Sequence, residues 1–533
     1  MNFYSFKIKF LFYIFLALFS FYINYFFSNK GLFPIDTFSF LDTGYLITQG
    51  YHPIKDFWVI SGILIDYIQA LFFLIFGFNW NAYVFHASFF NMMLSLFFFF
   101  FLNNFSSNLF INLLLSLCVA ILCYPVSGTP FPYQHSYILS LISLMIFYLA
   151  VYKQDQKYWI MLPITMLLSF ASMQMPSGLI NAIILIFISL YYFRFKEKFF
   201  FSFLKGISIS IFLIIIYFAV LNINFKDFLI QLILFPASVG EGRITGDTNS
   251  YSSANLFNKF TFRGIFGHFK FIILFLLANL ISIFFYIKKK KIFDKLLFLN
   301  IFIIMCGISF IFHQLITANQ TFIFSLIPIL GGFYLIQLKD FFNNVKMKLN
   351  FLIIFVIIFT TIKYNNVYNM KRKFMDLQQI DLNNAIDANN LNKKFNNLRW
   401  ITPFYYKEKP SEEIELLQGV LKVLSKENHE EIIIITHYQF FSLILDKKIN
   451  ILNRWYFPEN NTHPTSINNK FYSHYIKRNQ NIIKKNNIKK IYLINSYPGE
   501  FSFINIKDFL NKQCFKKEEY NKMLSIVYIN SCN

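Results

Sequence analysis

Long apolar runs separated by short polar stretches fill the first two thirds of the chain. Twelve runs stand out, at 10–27, 59–78, 83–102, 109–126, 137–152, 159–175, 178–193, 207–221, 271–287, 296–312, 321–338 and 349–362. Each approaches the ~20 residues, range ~17–25, that a helix needs to cross a bilayer. After Ile362 the pattern changes. Residues 364–533 hold 25 Lys plus Arg against 16 Asp plus Glu and no run long enough to span. There the short apolar stretches EIIIITHY (431–438), INILNRWYF (449–457), IKKIYLINSY (488–497) and SIVYINSC (525–532) read as strands. Helical texture appears at 412–426, 469–487 and 505–514. Strands alternating with helices predict a small α/β domain with a largely parallel sheet.

Composition agrees with the pattern. Of 533 residues, 56% are hydrophobic and 14% charged, against about 25% charged in a soluble chain. The expected fold class is a polytopic α-helical membrane protein of about 11–13 transmembrane helices over 1–363, with a soluble α/β domain over 364–533. The net charge of +22 would point a soluble protein to nucleic acid. Here it reads as loop charge that sets topology and meets anionic headgroups, and no nucleic-acid partner is expected. Cys118, Cys123 and Cys306 lie in apolar runs, while Cys514 and Cys532 share the tail. No zinc-like spacing, Gly-rich phosphate loop or internal repeat is present.

Clusters at 194–198 with Lys205, at 288–291, and from Lys339 to Lys346 and Lys348, together with Lys7 and Lys9, mark the inside. The first loop (28–58), the long loop 222–270, the loop 313–320 and everything after 363 then lie outside. An inside start and outside end require an odd number of crossings, yet twelve runs are counted. One run between 59 and 193 must be re-entrant or interfacial, or two runs are read as one. The side of TPFPYQHS (129–136) stays open.

The first loop is the polar anomaly. FPIDTFSFLDTGYLITQGYHPIKDFW (33–58) holds Asp36, Asp42 and Asp56 between two greasy runs. As a helix over 36–50, it puts Phe38, Leu41 and Tyr45 on one face, suited to lying on the membrane surface. Asp36 then caps the first turn, Asp42 sits on a solvated stripe, and Asp56 caps the next helix. Three carboxylates at one leaflet also have a chemical use, to take a proton from a hydroxyl or to hold a divalent cation.

TGYLITQG (43–50), HPIKDFW (52–58) and SGILIDYIQALFFLIFG (61–77), following Asp36, resemble the first outer loop and second helix of GT-C integral-membrane glycosyltransferases. The similarity is to the dolichyl-phosphate-mannose-protein-mannosyltransferase-like and aminoarabinose-transferase-like group. It covers about 45 residues, and Gly62-Ile63 stands where the family has Gly-Pro. The resemblance implies an inverting transfer of a sugar from a polyprenyl-phosphate donor to a glycan, lipid or protein acceptor of the cell envelope. It implies Asp36 as general base, Asp42 as second choice, and Asp56 as a shaping or acceptor-binding residue. The matching location is a bacterial inner membrane, with the amino terminus cytoplasmic and the tail domain periplasmic. The cofactor is unknown; a divalent metal is not required by the sequence, although Glu241 and Asp247 could join the acidic set, and no metal ligand is assigned.

A leaving phosphate needs positive charge. Arg243, Lys259, Arg263, His268 and Lys270 in the long loop offer it. Each is also an ordinary interface cation, and GEGR (240–243) reads as a mobile lid. His313, Asn319 and Gln320, and more weakly Gln174, are candidates for sugar hydroxyls or for helix-end hydrogen bonds. Asp66, two turns into an apolar run, reads as structural, with water or a lysine as partner. RWYF (454–457), His437 and His463 show no catalytic spacing, so the tail domain binds an acceptor or partner, or braces the loops. Two other functions remain open. One is an envelope polysaccharide polymerase or ligase working through Arg243 and His268, and the other is a lipid-linked oligosaccharide flippase.

Overall fold

Each of the twelve apolar runs contains a helix in the computed structural model, which describes residues 3–529 apart from 107, 124–127, 196–198, 246–260, 291–292, 318–322, 339–345, 405 and 511–514. The helical body comprises α1 (Phe3–Ser28), two short helices α2 (Pro34–Thr37) and α3 (Leu41–Thr48), then α4 (Ile63–Phe76), α5 (Trp80–Leu102), α6 (Leu109–Leu122), α7 (Pro132–Lys153), α8 (Gln156–Ser172), α9 (Gln174–Phe195) and α10 (Phe200–Leu221). It continues through α11 (Phe225–Leu229), a π-helical turn (Ile230–Leu234), α12 (Phe235–Thr245), α13 (Phe262–Lys290), α14 (Lys295–Thr317), α15 (Leu326–Leu338) and α16 (Lys346–Tyr364). Among the described residues, eight helices are long and apolar enough to cross a membrane, with three shorter apolar helices besides. Their outward faces are greasy, as at Phe212, Ile215 and Phe284, each more than half exposed. The chain is a multi-pass membrane protein.

The tail domain carries a four-stranded sheet of β3 (Ile432–Thr436), β4 (Lys490–Ile494), β6 (Leu524–Ile529) and β5 (Phe515–Glu519), in that spatial order, and a two-stranded ribbon of β1 (Ile386–Asp387) and β2 (Arg399–Trp400). β3 and β4 are parallel, whereas β4–β6 and β6–β5 are antiparallel. The expected largely parallel sheet is therefore a mixed one. β5, FKKEE, was not expected, because its exposed charged side chains are those of a solvated edge strand. Residues 449–457 form no strand; they touch β3 through one bridge, Ile433 to Asn450, and otherwise pair with the first loop. Helices α17 (Pro410–Leu424), α18 (Phe441–Leu445), α19 (Tyr472–Lys485) and α20 (Ile506–Phe509) cover the sheet.

The two parts are joined through the first loop. The Trp58 N–H donates to Leu452 O at 2.8 Å, and Arg454 N–H returns to Trp58 O at 3.1 Å. Phe38, Leu41 and Tyr45 share a face as expected, but they meet the tail domain instead of lipid. Phe38 stacks on Trp400 and packs edge-on to Phe440, with ring centroids 5.9 and 5.0 Å apart.

Candidate functional site

A cavity of about 250 Å³ opens where the first loop, the helical body and the tail domain meet. Asp36 lines it, and so does Arg243. Asp36 lies within the first turn of α2, whose N-cap is Phe33, and its side chain makes no cap bond. Pro34 at N1 fixes the turn with its preset φ, and the Phe33 N–H is taken by Thr37 Oγ1 at 3.0 Å. The carboxylate therefore faces the cavity with no hydrogen-bond partner among the described residues. Burial pushes its pKa up to about 7, against the pull of the His437 charge and with the Asp376 carboxylate adding to the rise.

Arg243 sits on α12, so GEGR is helical instead of a loose lid. Phe235, Pro236 and Val239 bury one side of that helix. The preceding π turn clamps the first loop: Gln231 accepts from the Val59 N–H at 3.0 Å and donates to Ile54 O at 3.1 Å. The Arg243 Nη2 donates to Asn461 Oδ1 of the tail domain at 2.9 Å. This holds a planar, always charged fork in the cavity wall. The rest of the wall is aromatic and apolar, with Phe131, Tyr133, Trp455 and Phe457, and Gln174 and Thr462 supply polar points. Bulky rings with a few convergent polar groups suit a ligand with both apolar and hydroxylated parts.

RWYF, in which the sequence showed no function, builds the wall. Arg454 is fully buried and pairs with Asp66 at 2.5 Å, while Thr43 Oγ1 donates to the other oxygen of Asp66 at 2.6 Å. Asp66 is structural, as expected, but its partner is an arginine from the tail domain. Arg454 also donates to the Ser61 and Gly62 carbonyls. Gly62 caps α4 with φ +74°, and a Cβ there would lie 3.2 Å from the Phe40 ring, so glycine is needed both for the turn and for the fit. The Trp455 Nε1–H donates to Ile35 O at 2.8 Å, next to Asp36. Behind them, His437 Nδ1 donates to Glu500 Oε1 at 2.6 Å and its Nε2 donates to Tyr456 O. Glu500 in turn accepts the Ser496 N–H and hydroxyl. No sequence spacing signals this set, because its members lie 400 residues from Asp36.

The other candidates divide. Asp42 is buried outside the cavity and accepts the Ser442 and Leu443 N–H groups at 3.1 and 2.8 Å. It caps α18 instead of standing solvated, and burial, opposed by those donors, raises it to about 7. Asp56 accepts the His52 N–H at 2.8 Å and lines a different cleft; α4 is capped by Gly62 instead. Arg263, His268 and Lys270 are exposed near the start of α13, outside the cavity lining. His313 is one turn before Thr317, which lines the cavity, and stacks on Tyr133 with centroids 5.1 Å apart. Glu241 lines a neighbouring polar cleft. Lys259, Asp247, Asn319 and Gln320 lie outside the described residues. Among the described residues, no three His, Cys, Asp or Glu side chains converge as a metal site would need.

No protein-family model and no curated protein matches the sequence. Among solved structures, the Archaeoglobus fulgidus oligosaccharyltransferase, crystallised in complex with zinc and sulfate, aligns with a TM-score of 0.46 at 12% identity. The alignment covers 98% of this chain and 73% of that one.

Proposed function

We propose that the protein is a membrane glycosyltransferase that moves a sugar from a polyprenyl-phosphate donor to an acceptor hydroxyl, with Asp36 as general base. The observation that carries the reading is the pairing, in one cavity beside lipid-facing helices, of an unpartnered carboxylate with an anchored guanidinium. The acceptor oxygen attacks the anomeric carbon while its proton passes to Asp36. The bond from that carbon to the phosphate oxygen breaks, and the lipid phosphate leaves with the electron pair. Direct displacement inverts the anomeric centre. A base is most useful when its pKa lies near working pH, and burial brings Asp36 there. Arg243 meets the charge that grows on the leaving phosphate. Trp455 and Tyr133 offer faces for the sugar and the first prenyl units. The acceptor belongs to the cell envelope, and the tail domain supplies the wall that closes the site. Asp56, Arg263 and His268 are left to acceptor or lipid contacts outside the cavity, and His313 acts through Tyr133.

The test is to incubate membrane vesicles with radiolabelled polyprenyl-phosphate sugars. Labelled product from the wild type and none from Asp36→Asn, with donor still bound, is the expected result. Equal product from both variants removes Asp36 from the chemistry. Arg243 also favours a second reading, an envelope polysaccharide polymerase or ligase built on loop cations. In that case Arg243→Ala abolishes turnover while Asp36→Asn leaves most of it. A flippase would still move lipid-linked sugar in both variants.

A further inference from the structure

A second cleft, of about 460 Å³, lies between the end of the first loop, α11 and α19. Lys55, Lys226, Lys477, Arg478 and Lys485 line it. Its two carboxylates are already engaged. Asp227 holds His474 Nε2 at 3.0 Å, and Asp56 holds the His52 N–H. The central cation is Arg478, half-buried on the inner side of α19. Its guanidinium reaches only Asn479 Oδ1 at 3.3 Å and Lys55 O at 3.4 Å, both at the weak end of hydrogen bonding. Among the described residues no carboxylate lies within 4.0 Å of it. Burial lowers its pKa to about 10, against the raising pull of Tyr475, Asp227 and Asp56. A half-buried guanidinium whose neighbouring carboxylates, Asp227 and Asp56, stay beyond 4.0 Å leaves its N–H fork open to an anion, which would meet it through two parallel N–H bonds.

The surroundings identify the anion. Lys55 Nζ donates to Leu221 O, the last carbonyl of α10, at 3.1 Å. Among the candidate spans α10 has the highest mean hydropathy and is the least buried, and Val220, one residue before Leu221, is 73% exposed. α11 sets Phe225, 62% exposed, beside Lys226. Exposed apolar side chains next to cations are the pattern of a membrane interface. We propose that this cleft binds the phosphate of an anionic lipid headgroup from the adjacent leaflet, docking the tail domain onto the membrane independently of the Asp36 cavity.

The full-length protein in detergent, titrated with phosphatidylglycerol or phosphatidylcholine and read by native mass spectrometry, tests this. The expected result is preferential retention of phosphatidylglycerol and, in Lys477→Gln/Arg478→Gln, a fall in its affinity of at least ~10-fold. Lys226→Gln/Lys485→Gln, at the rim, should shift affinity the same way with an unchanged melting temperature, which separates lost binding from lost folding. Equal retention of both lipids, or unaltered phosphatidylglycerol affinity in both double variants, overturns the proposal. Displacement of the lipid by millimolar inorganic phosphate overturns the headgroup assignment and leaves a soluble phosphate as the ligand.

Discussion

Asp36 and Asp42 are six positions apart, buried to a similar degree of electrostatic cost, and both raised to about 7. Their partners separate them. Asp42 serves two backbone N–H groups, so Asp42→Ala leaves both donors unpaired and should cost about 1–3 kcal/mol. Asp42→Asn keeps one acceptor and should cost less, and in both variants the folded protein should keep whatever turnover the vesicle assay shows for the wild type. Chemical denaturation alongside the vesicle assay checks this. Asp36 serves no donor among the described residues, so Asp36→Asn should fold normally and, on the proposed mechanism, lose ~10²–10⁴ in turnover. On the proposed mechanism Asp36 works only when ionised, so kcat/KM should be level above about pH 7 and fall tenfold per unit below it. In Asp36→Asn that limb should vanish. The family resemblance ranked Asp36 above Asp42; the donors that occupy Asp42 belong to residues 442 and 443, which nothing in the loop itself could reveal.

The helix that follows makes a similar point for whole elements. Asp66 on α4 and Arg454 between β3 and β4 form a buried pair, and breaking such a pair leaves an uncompensated charge. Asp66→Ala or Arg454→Ala should each destabilise by about 3–5 kcal/mol, whereas Asp66→Leu/Arg454→Met should recover most of that loss. Thermal melts of the four proteins in detergent decide it, and additive losses would disprove the coupling. Element identity was largely readable: twelve apolar runs became helices, and Ile432–Thr436, Lys490–Ile494 and Leu524–Ile529 became strands. The misreadings share a cause. INILNRWYF has strand composition, yet its residues are taken up by Trp58 and Ile35 of the first loop and by Asp66 of α4. The greasy face of α3 was visible, but its cover was not, because the surface that buries it lies in another part of the chain.

At the scale of the molecule, the odd crossing number required by charge meets twelve apolar runs, and α4 resolves the conflict. Its start is held by Arg454 through the Ser61 and Gly62 carbonyls. Just past its end, Phe78 packs edge-on to Tyr45 of α3, with centroids 5.2 Å apart. The next helix opens with the Trp80 Nε1–H on Asn29 Oδ1, at 2.7 Å, beside the end of α1. Both ends of α4 therefore lie on the face that carries the tail domain, and α4 does not cross. Setting α4 aside leaves eleven of the twelve apolar runs, which is odd. The same count brings Phe131 to Tyr133, at the start of α7, to the tail-domain face, where they line the Asp36 cavity. Hydropathy could not detect this, because α4 is as greasy as a crossing helix; it rests on the membrane side of the first loop instead of passing through. Gln49, ahead of α4, and Phe76, its last residue, are exposed. Cysteines placed there should react with an impermeant thiol reagent from the same side of sealed vesicles as a cysteine at exposed Lys407. Labelling of positions 49 and 76 from opposite sides would make α4 a crossing helix, move the entry of α7 to the other face, and take Tyr133 away from Asp36.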